Sequence, residues 1–446
     1  MKIVVPETLW RQLYSSLANE VVESAGIALA NHVGLGDATR LLVSEIHQPG
    51  NGDYQVRNHL EATLSPDFVA SVVRKARDRR MSVVFFHTHP FSEAAEFSPK
   101  DDRGEKLLAS FVEQRIPGLS HAALVLGRQR PSARILGSQQ GIDVTVVGPT
   151  LQRFSISATE AGCADTRQLE VFDRQVRILG ADSQKHLGSL RIGIVGLGGT
   201  GSIVTEQLTH LGITNFVLVD ADVIEHSNLN RVVGASSRDV GRPKVDVAAD
   251  LIRRIQPHAN VEAVQASVLR NSTLTHLQAV DAIFCCTDSH GSRYVLNELA
   301  YRFLIPSIDC GVVIAVNGEG VTHISARVQM LAPGLACLTC NNLLDPEQVR
   351  RDLLTDFERA QDPYITGASV PQPAVISLNG VTVSLAATMF LGSFGGLPTD
   401  SRHQRYDAMK GTVRNVDTTP TPHCVTCSVS GGLAVGTSWP LPGRPE

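Results

Sequence analysis

The stretch from Ile192 to Arg231 restricts the fold more than any other part of the chain. An apolar run, Ile192 to Val195, ends in glycines at Gly196, Gly198, Gly199 and Gly201. A helix-length segment follows. A second apolar run then ends on Asp220, nineteen residues past the last glycine. This is the layout of a nucleotide-binding strand, turn and helix. Glycines let backbone approach phosphate, the helix amino terminus attracts negative charge, and an acid at the next strand tip takes ribose hydroxyls.

The alternation continues beyond that unit. Helices are expected over 200–211, 244–255, 272–278 and 292–303. Strands are expected over 215–219, 261–267, Asp281 to Cys286 and 306–310. That pattern predicts a doubly wound α/β sheet, with its ligand crevice at the carboxyl ends of the strands. A glycine loop alone would favour a dinucleotide. Here the strand ends and helix starts also bring Asp220, Asp222, Asn228, Arg231, Lys244 and Asp288 to one crevice. Hydride transfer needs no such cluster of cations. Reaction at a phosphate does, because Arg and Lys neutralise phosphate charge while an acid holds Mg2+.

From about Phe172 to Cys427 the chain resembles the E1/ThiF/MoeB adenylyltransferase family. The resemblance implies that Asp220 binds ribose, that Asn228, Arg231 and Lys244 contact the ATP phosphates, and that Asp288 holds Mg2+. It also implies that Arg174 reaches the ATP site of a partner in a homodimer. Catalysis is thus expected from Arg231, Lys244 and Asp288, on a floor of Gly196, Gly198, Gly199 and Gly201.

The chain has eight cysteines, and four of them form two Cys-x-x-Cys pairs, Cys337/Cys340 and Cys424/Cys427. Two such hooks make a closed four-thiolate site, which is structural zinc chemistry. Between them, Asn341 to Pro373 holds no cysteine, and Tyr364 or a neighbour stands where family members that form a thioester often have one. Cys285 and Cys286 read as core. Cys310 is the remaining candidate nucleophile near the site. Cys163 reads as a thiol without a role.

The amino-terminal third carries a second motif. Met81 to Phe86 is an apolar strand that delivers His87-Thr88-His89-Pro90 at its end. Seven residues later comes Ser98-x-x-Asp101, at the start of a helix. Two histidines at i and i+2 project to one side, and Asp101 adds a third ligand. Three protein ligands leave an open zinc position, the catalytic arrangement. This region resembles the JAB/MPN (JAMM) metalloprotease family. The resemblance implies zinc on His87, His89 and Asp101, an oxyanion contact from Ser98, and Glu23 as general base in preference to Glu20 or Glu45.

The expected architecture is therefore an α/β JAB/MPN zinc peptidase domain (1–150), a linker (151–165) and a Rossmann-like E1/ThiF domain (166–446) with a structural zinc. The expected chemistry is ATP-dependent adenylation of the C-terminal glycine of a ubiquitin-like protein, which the zinc peptidase trims or deconjugates. Such pairing suits a bacterial ubiquitin-like pathway, with antiphage defence one setting and an E2-like protein as a further partner. The alternatives are MoeB-like activation of a sulfur carrier, and an amino-terminal domain that only docks the carrier. A net charge of −4 gives no electrostatic case for nucleic acid or an anionic membrane. Without a signal-peptide layout, and with Ala374 to Gly392 read as a buried helix, a cytoplasmic location is expected.

Overall fold

The computed structural model describes residues 1–17, 21–36, 38–93, 95–155, 170–318, 320–361 and 373–445. Glu20, Cys163, Tyr364 and most of the expected linker lie outside them. Contacts divide the chain into two compact units. One comprises Met1–Gly162, Arg302–Leu304 and Gly432–Pro440. The other comprises Cys163–Tyr301, Ile305–Gly431 and Leu441–Glu446.

The first unit is an eight-stranded sheet between helices. Its strands are β1 (Lys2–Pro6), β2 (Ala25–Leu35), β3 (Ala38–His47), β6 (Ser82–Thr88), β7 (Ala122–Leu126), β8 (Pro131–Ile135), β9 (Asp143–Val147) and β10 (Leu151–Phe154). A small hairpin of β4 (Tyr54–Asn58) and β5 (Glu61–Leu64) forms a sheet of its own, tied to β2 by the Tyr54 hydroxyl at Ala25. The sheet order is β10-β9-β1-β3-β2-β6-β7-β8. Alternate residues of the central strands face opposite layers. Ala28, Ala30, Val84 and Phe86 pack with Trp10 and Leu13 of the helix Glu7–Leu17. Ile27, Leu29, Val83 and Phe85 pack with Val69, Val72 and Val73 of the helix Pro66–Asp78, and with Val112 of the helix Pro99–Glu113. Burial on both faces explains why Met81 to Phe86 is almost wholly apolar. Residues 151–154, expected as linker, instead form the edge strand β10, paired with β9.

The second unit contains β11 (Arg191–Val195), β12 (Asn215–Val219), β13 (Asn260–Val264), β14 (Ala282–Cys285), β15 (Ser307–Asn317), β16 (Gly320–Leu331), β17 (His403–Asp407) and β18 (Thr412–Asn415). Their order is β13-β12-β11-β14-β15-β16-β17-β18. The first five strands are parallel, and strand order reverses between β11 and β14. That reversal is the switch point where open α/β sheets bind ligands. Antiparallel β16, β17 and β18 extend the sheet beyond the parallel alternation that the sequence predicts.

The helix Ile376–Phe394 is long and apolar enough, by length and composition, to cross a membrane. Here Val383, Ala386, Ala387, Met389 and Phe390 are buried, and the helix packs against the helix Gly199–His210 and against β15 and β16. Residues 432–440 fall with the first unit, whereas the domain reading placed them in the second. Within the first unit, Asn31 Nδ2 donates to Ala434 O at 2.9 Å, and a Cβ on Gly436 would press on Val33 and Leu42.

Candidate functional site

The nucleotide-type site lies at the carboxyl end of β11. Gly196 turns the chain with φ +85, and a Cβ there would stand 2.8 Å from Cys286 O. A Cβ on Gly201 would lie 1.8 Å from Gly196 O, and one on Gly199 would lie 2.3 Å from Asn379 Nδ2 and 3.2 Å from the stem of Arg231. Internal packing thus explains three of the four glycines. Gly198 differs. It is the N-cap of the helix Gly199–His210, its φ is −70, and nothing lies within 4 Å of its missing Cβ. That open face at a helix amino terminus leaves room for a phosphate.

Asp220 follows β12 directly. Its Oδ2 accepts from Leu197 N at 2.6 Å and its Oδ1 from Asp222 N at 2.8 Å, so it ties the glycine loop to the next strand end. Burial raises its carboxyl, against the opposing charge of Lys244. Each oxygen keeps a lone pair for a ribose hydroxyl. Lys244 begins the helix Lys244–Ile255, and its Nζ lies 2.7 Å from Asp222 Oδ2. Bridging between Val223 and Pro243 carries it back to that strand end. Asn228 is buried, with Oδ1 accepting from Glu225 N at 3.2 Å. Arg231 lays its stem over Gly199 and donates to Ser227 O at 2.6 Å.

Asp288 sits beyond β14, exposed, with no hydrogen bond or ion pair among the described residues. A free carboxylate at the switch point is the donor a magnesium ion takes. Sequence reasoning missed the residue that fixes its turn. Arg293 donates to Thr287 O at 3.2 and 3.0 Å and to Cys310 O at 3.3 Å, and it lies 3.4 Å from Asp309. Arg327 holds the same buried aspartate at 2.5 Å. Cys310 and Cys285 are buried, and burial pushes the Cys285 thiol up to about 12. Arg293 lies close to both, but neither has the exposure of a reactive thiol. Asn379 was also missed. An amide in the first turn of an uncharged helix was its only signal.

Arg174 is not brought to this loop. It is exposed on the helix Asp173–Leu179. Gln175 Nε2 of that helix donates to His210 O, at the opposite end of the helix Gly199–His210 from the glycines. A helix of that length spans about 18 Å.

The four paired cysteines converge. Cys337 and Cys424 Sγ lie 3.5 Å apart, as do those of Cys340 and Cys427, and all four sulfurs lie within 4.8 Å of one another. These spacings are too long for disulfides and close to the ~3.8 Å edge of a tetrahedral zinc–thiolate site. A hydrogen bond from Cys427 pulls the Cys337 thiol down to about 5. Backbone amides of Cys340 and Thr421 also point at the sulfurs.

The first unit assembles its own cluster. Register pairs Ala25 of β2 with His87 of β6, which brings Glu23 beside the histidines. Glu23 Oε1 lies 3.8 Å from His89 Nε2, and His87 Nε2 lies 3.3 Å from Asp101 Oδ1. Ligand atoms of His87, His89 and Asp101 lie within 4.8 Å of one another. His87 Nε2 is buried without a hydrogen-bond partner, the condition of a donor awaiting a metal. Burial raises Asp101, but His87 and the Ser98 amide outweigh it and hold the carboxyl well below the usual range. Burial raises Glu23. Glu45 faces Arg79 and His47 instead. Ser98 is the N-cap of the helix Pro99–Glu113: its Oγ accepts from Asp101 N at 3.3 Å, and its own amide donates to Asp101 Oδ2 at 2.6 Å. That reciprocal cap aims the other Asp101 oxygen at His87. The buried pair Arg134–Glu105 ties the helix to β8, and the Arg134 guanidinium also covers Phe97, which stands edge-on to His87.

The model of the ThiF family matches residues 172–428. The SAMP-activating enzyme E1 of Haloferax volcanii is 30% identical over 275 residues, covering 60% of this chain and 92% of that protein. The molybdopterin-synthase adenylyltransferase of Escherichia coli is 30% identical over 259 residues, covering 57% and 95%. A crystal structure of E. coli MccB with MccA-N7isoASN gives a TM-score of 0.47 at 19% identity, covering 58% of this chain and 75% of that one.

Proposed function

We propose, from the premise that this chain belongs to the ThiF family, that its second unit adenylates the C-terminal glycine of a ubiquitin-like or sulfur-carrier protein. The observation that carries the reading is the loop at the end of β11. There Gly198 leaves open space between Leu197, whose amide Asp220 holds, and Gly199, which the Arg231 stem covers; Lys244 faces Asp222, and the unpartnered Asp288 lies three residues beyond the neighbouring strand β14. A carboxylate oxygen of the carrier attacks the α-phosphorus of ATP, forming one P–O bond as the bond to the β-phosphate breaks. Pyrophosphate leaves and the acyl-adenylate remains. Arg231 and Lys244 offset the charge that builds on the phosphates, and Asn228 adds a neutral donor. Asp220 orients the ribose. Asp288 would hold Mg2+, which neutralises phosphate charge when bound.

Arg174 fits the reading as a residue given to a partner's site in a homodimer, since it is exposed and far from its own loop. Cys337, Cys340, Cys424 and Cys427 fit a closed structural zinc site, and metal rather than disulfide use of these pairs suits a cytoplasmic setting.

In the first unit, His87, His89 and Asp101 would hold zinc, which acts as a Lewis acid toward water and a scissile carbonyl. Glu23 takes the proton of the attacking water and passes it to the leaving amine. The Ser98 hydroxyl hydrogen, free of the cap, donates to the oxyanion. The substrate is the carrier itself, trimmed or released at its terminal glycine, and a conjugation pathway would add an E2-like partner. The lack of cysteine between Asn341 and Pro373 favours a second reading, in which the adenylate goes to an external sulfur donor as in MoeB-type carrier activation. Both activities separate in one pair of assays. ATP–pyrophosphate exchange should depend on a glycine-ended carrier and fail in Asp288→Ala. Cleavage of a tail-extended carrier should fail in His87→Ala while exchange persists. No cleavage by the wild type would leave the first unit as a docking module.

A further inference from the structure

Asn379 is more than a packing residue. Its helix, Ile376–Phe394, holds no charged residue and no other side-chain amide, and the buried hydroxyls it carries bond to its own backbone: Thr382 to Leu378 O at 2.8 Å and Ser393 to Met389 O at 3.1 Å. The Asn379 side chain has no hydrogen-bond partner among the described residues, although the residue is 4% exposed. A carboxamide set in an apolar layer gains from a hydrogen-bond partner wherever one comes within reach. Its Nδ2 points at Gly199, the first residue of the helix Gly199–His210, where an added Cβ would lie 2.3 Å away. The free amides of a helix amino terminus favour an anion. The neighbouring Gly198 leaves open space, and the Arg231 stem closes the same side.

We propose that Asn379 is a further substrate-binding residue, whose Nδ2 donates to a phosphate oxygen of the nucleotide at this helix terminus. The inference rests on the ATP reading of the loop and deepens it. A neutral carboxamide adds a directed donor where the helix amides and Arg231 already supply positive charge. It also gives Gly199 a reason: only glycine leaves the amide its path to that terminus.

The test uses the full chain and two probes, Mg·ATP and adenosine, titrated calorimetrically against wild type and Asn379→Leu. Leucine has nearly the same shape and needs no hydrogen bond. A packing role would be kept and the melting temperature would hold or rise, while a phosphate contact would be lost. A hydrogen bond to a charged acceptor corresponds to roughly 10-fold or more in ATP affinity. The expected result is that loss, with adenosine affinity unchanged. Unchanged ATP affinity, or equal losses for both probes, or a melting temperature lowered along with both, overturns the assignment. If wild-type protein binds no ATP, the nucleotide reading itself fails, and that result is distinct from the others.

Discussion

Two alanine substitutions in the glycine loop should act in opposite directions. At Gly201 the new Cβ would stand 1.8 Å from Gly196 O, more than 1 Å inside the 3.0 Å that real Cβ atoms respect. That oxygen belongs to backbone and cannot swing away, because Gly196 N is bonded to Val219 O at 2.9 Å and Cys286 O stands behind the turn. The clash should cost about 3 kcal/mol or more, which lowers the melting temperature by about 6–12 °C for a unit of this size. At Gly198 the Cβ meets nothing within 4 Å, and φ −70 suits alanine. Reduced freedom of the unfolded chain should then stabilise by about 0.4–1 kcal/mol, or about 1–4 °C. The same methyl fills the space left for phosphate, so ATP binding should weaken at least ~10-fold, about 1.4 kcal/mol. Scanning calorimetry and ATP titration of both variants read these outcomes. A lower melting temperature in Gly198→Ala would mean that this glycine serves internal packing. Unchanged ATP affinity in the same variant would mean that no phosphate approaches there.

Further outcomes can be measured independently. Cys427→Ser should remove one zinc per chain by elemental analysis, and His87→Ala should remove a different one, so that the double variant holds none. Arg134→Met strands the buried carboxylate of Glu105, bonded at 2.8 Å, and should cost about 3–5 kcal/mol in denaturant titrations, while Arg134→Met with Glu105→Met recovers most of it. Burial, reinforced by Arg327, pushes His403 down to about 4 from 6.5. Between those pH values the unfolded chain binds a proton that the folded chain refuses, so stability falls as pH drops through that window. His403→Gln should flatten that part of the stability profile.

The parallel half of the second unit was legible because its signals are local. The run Ile192 to Val195, the glycines after it and the helix Lys244–Ile255 each carry their own period or turn chemistry. The His-x-His strand was legible for the same reason: burial on both faces leaves an unbroken apolar run before the ligands. What escaped depends on contacts remote in sequence. Strand β16 (Gly320–Leu331) mixes polar and apolar residues and is defined by pairing along β15. Leu151–Phe154 is a strand only because β9 offers an edge. Arg293 reads as a helix-surface cation until its bonds to Thr287 and Asp309 are seen. Asn379 has no local motif at all, since its meaning lies in Gly199, 180 positions earlier. Residues 432–440 join the first unit through Asn31 and Val33, which no periodicity in the tail foretells.

Adenylation itself is decided by ATP–pyrophosphate exchange with purified full-length protein and a ubiquitin-like or sulfur-carrier protein ending in glycine. Label should enter ATP only when the carrier is present, should vanish when its terminal glycine is removed, and should be lost in Asp288→Ala. Exchange that ignores the carrier tail, or that survives Asp288→Ala undiminished, would contradict the chemistry assigned to the loop at Gly196–Gly201.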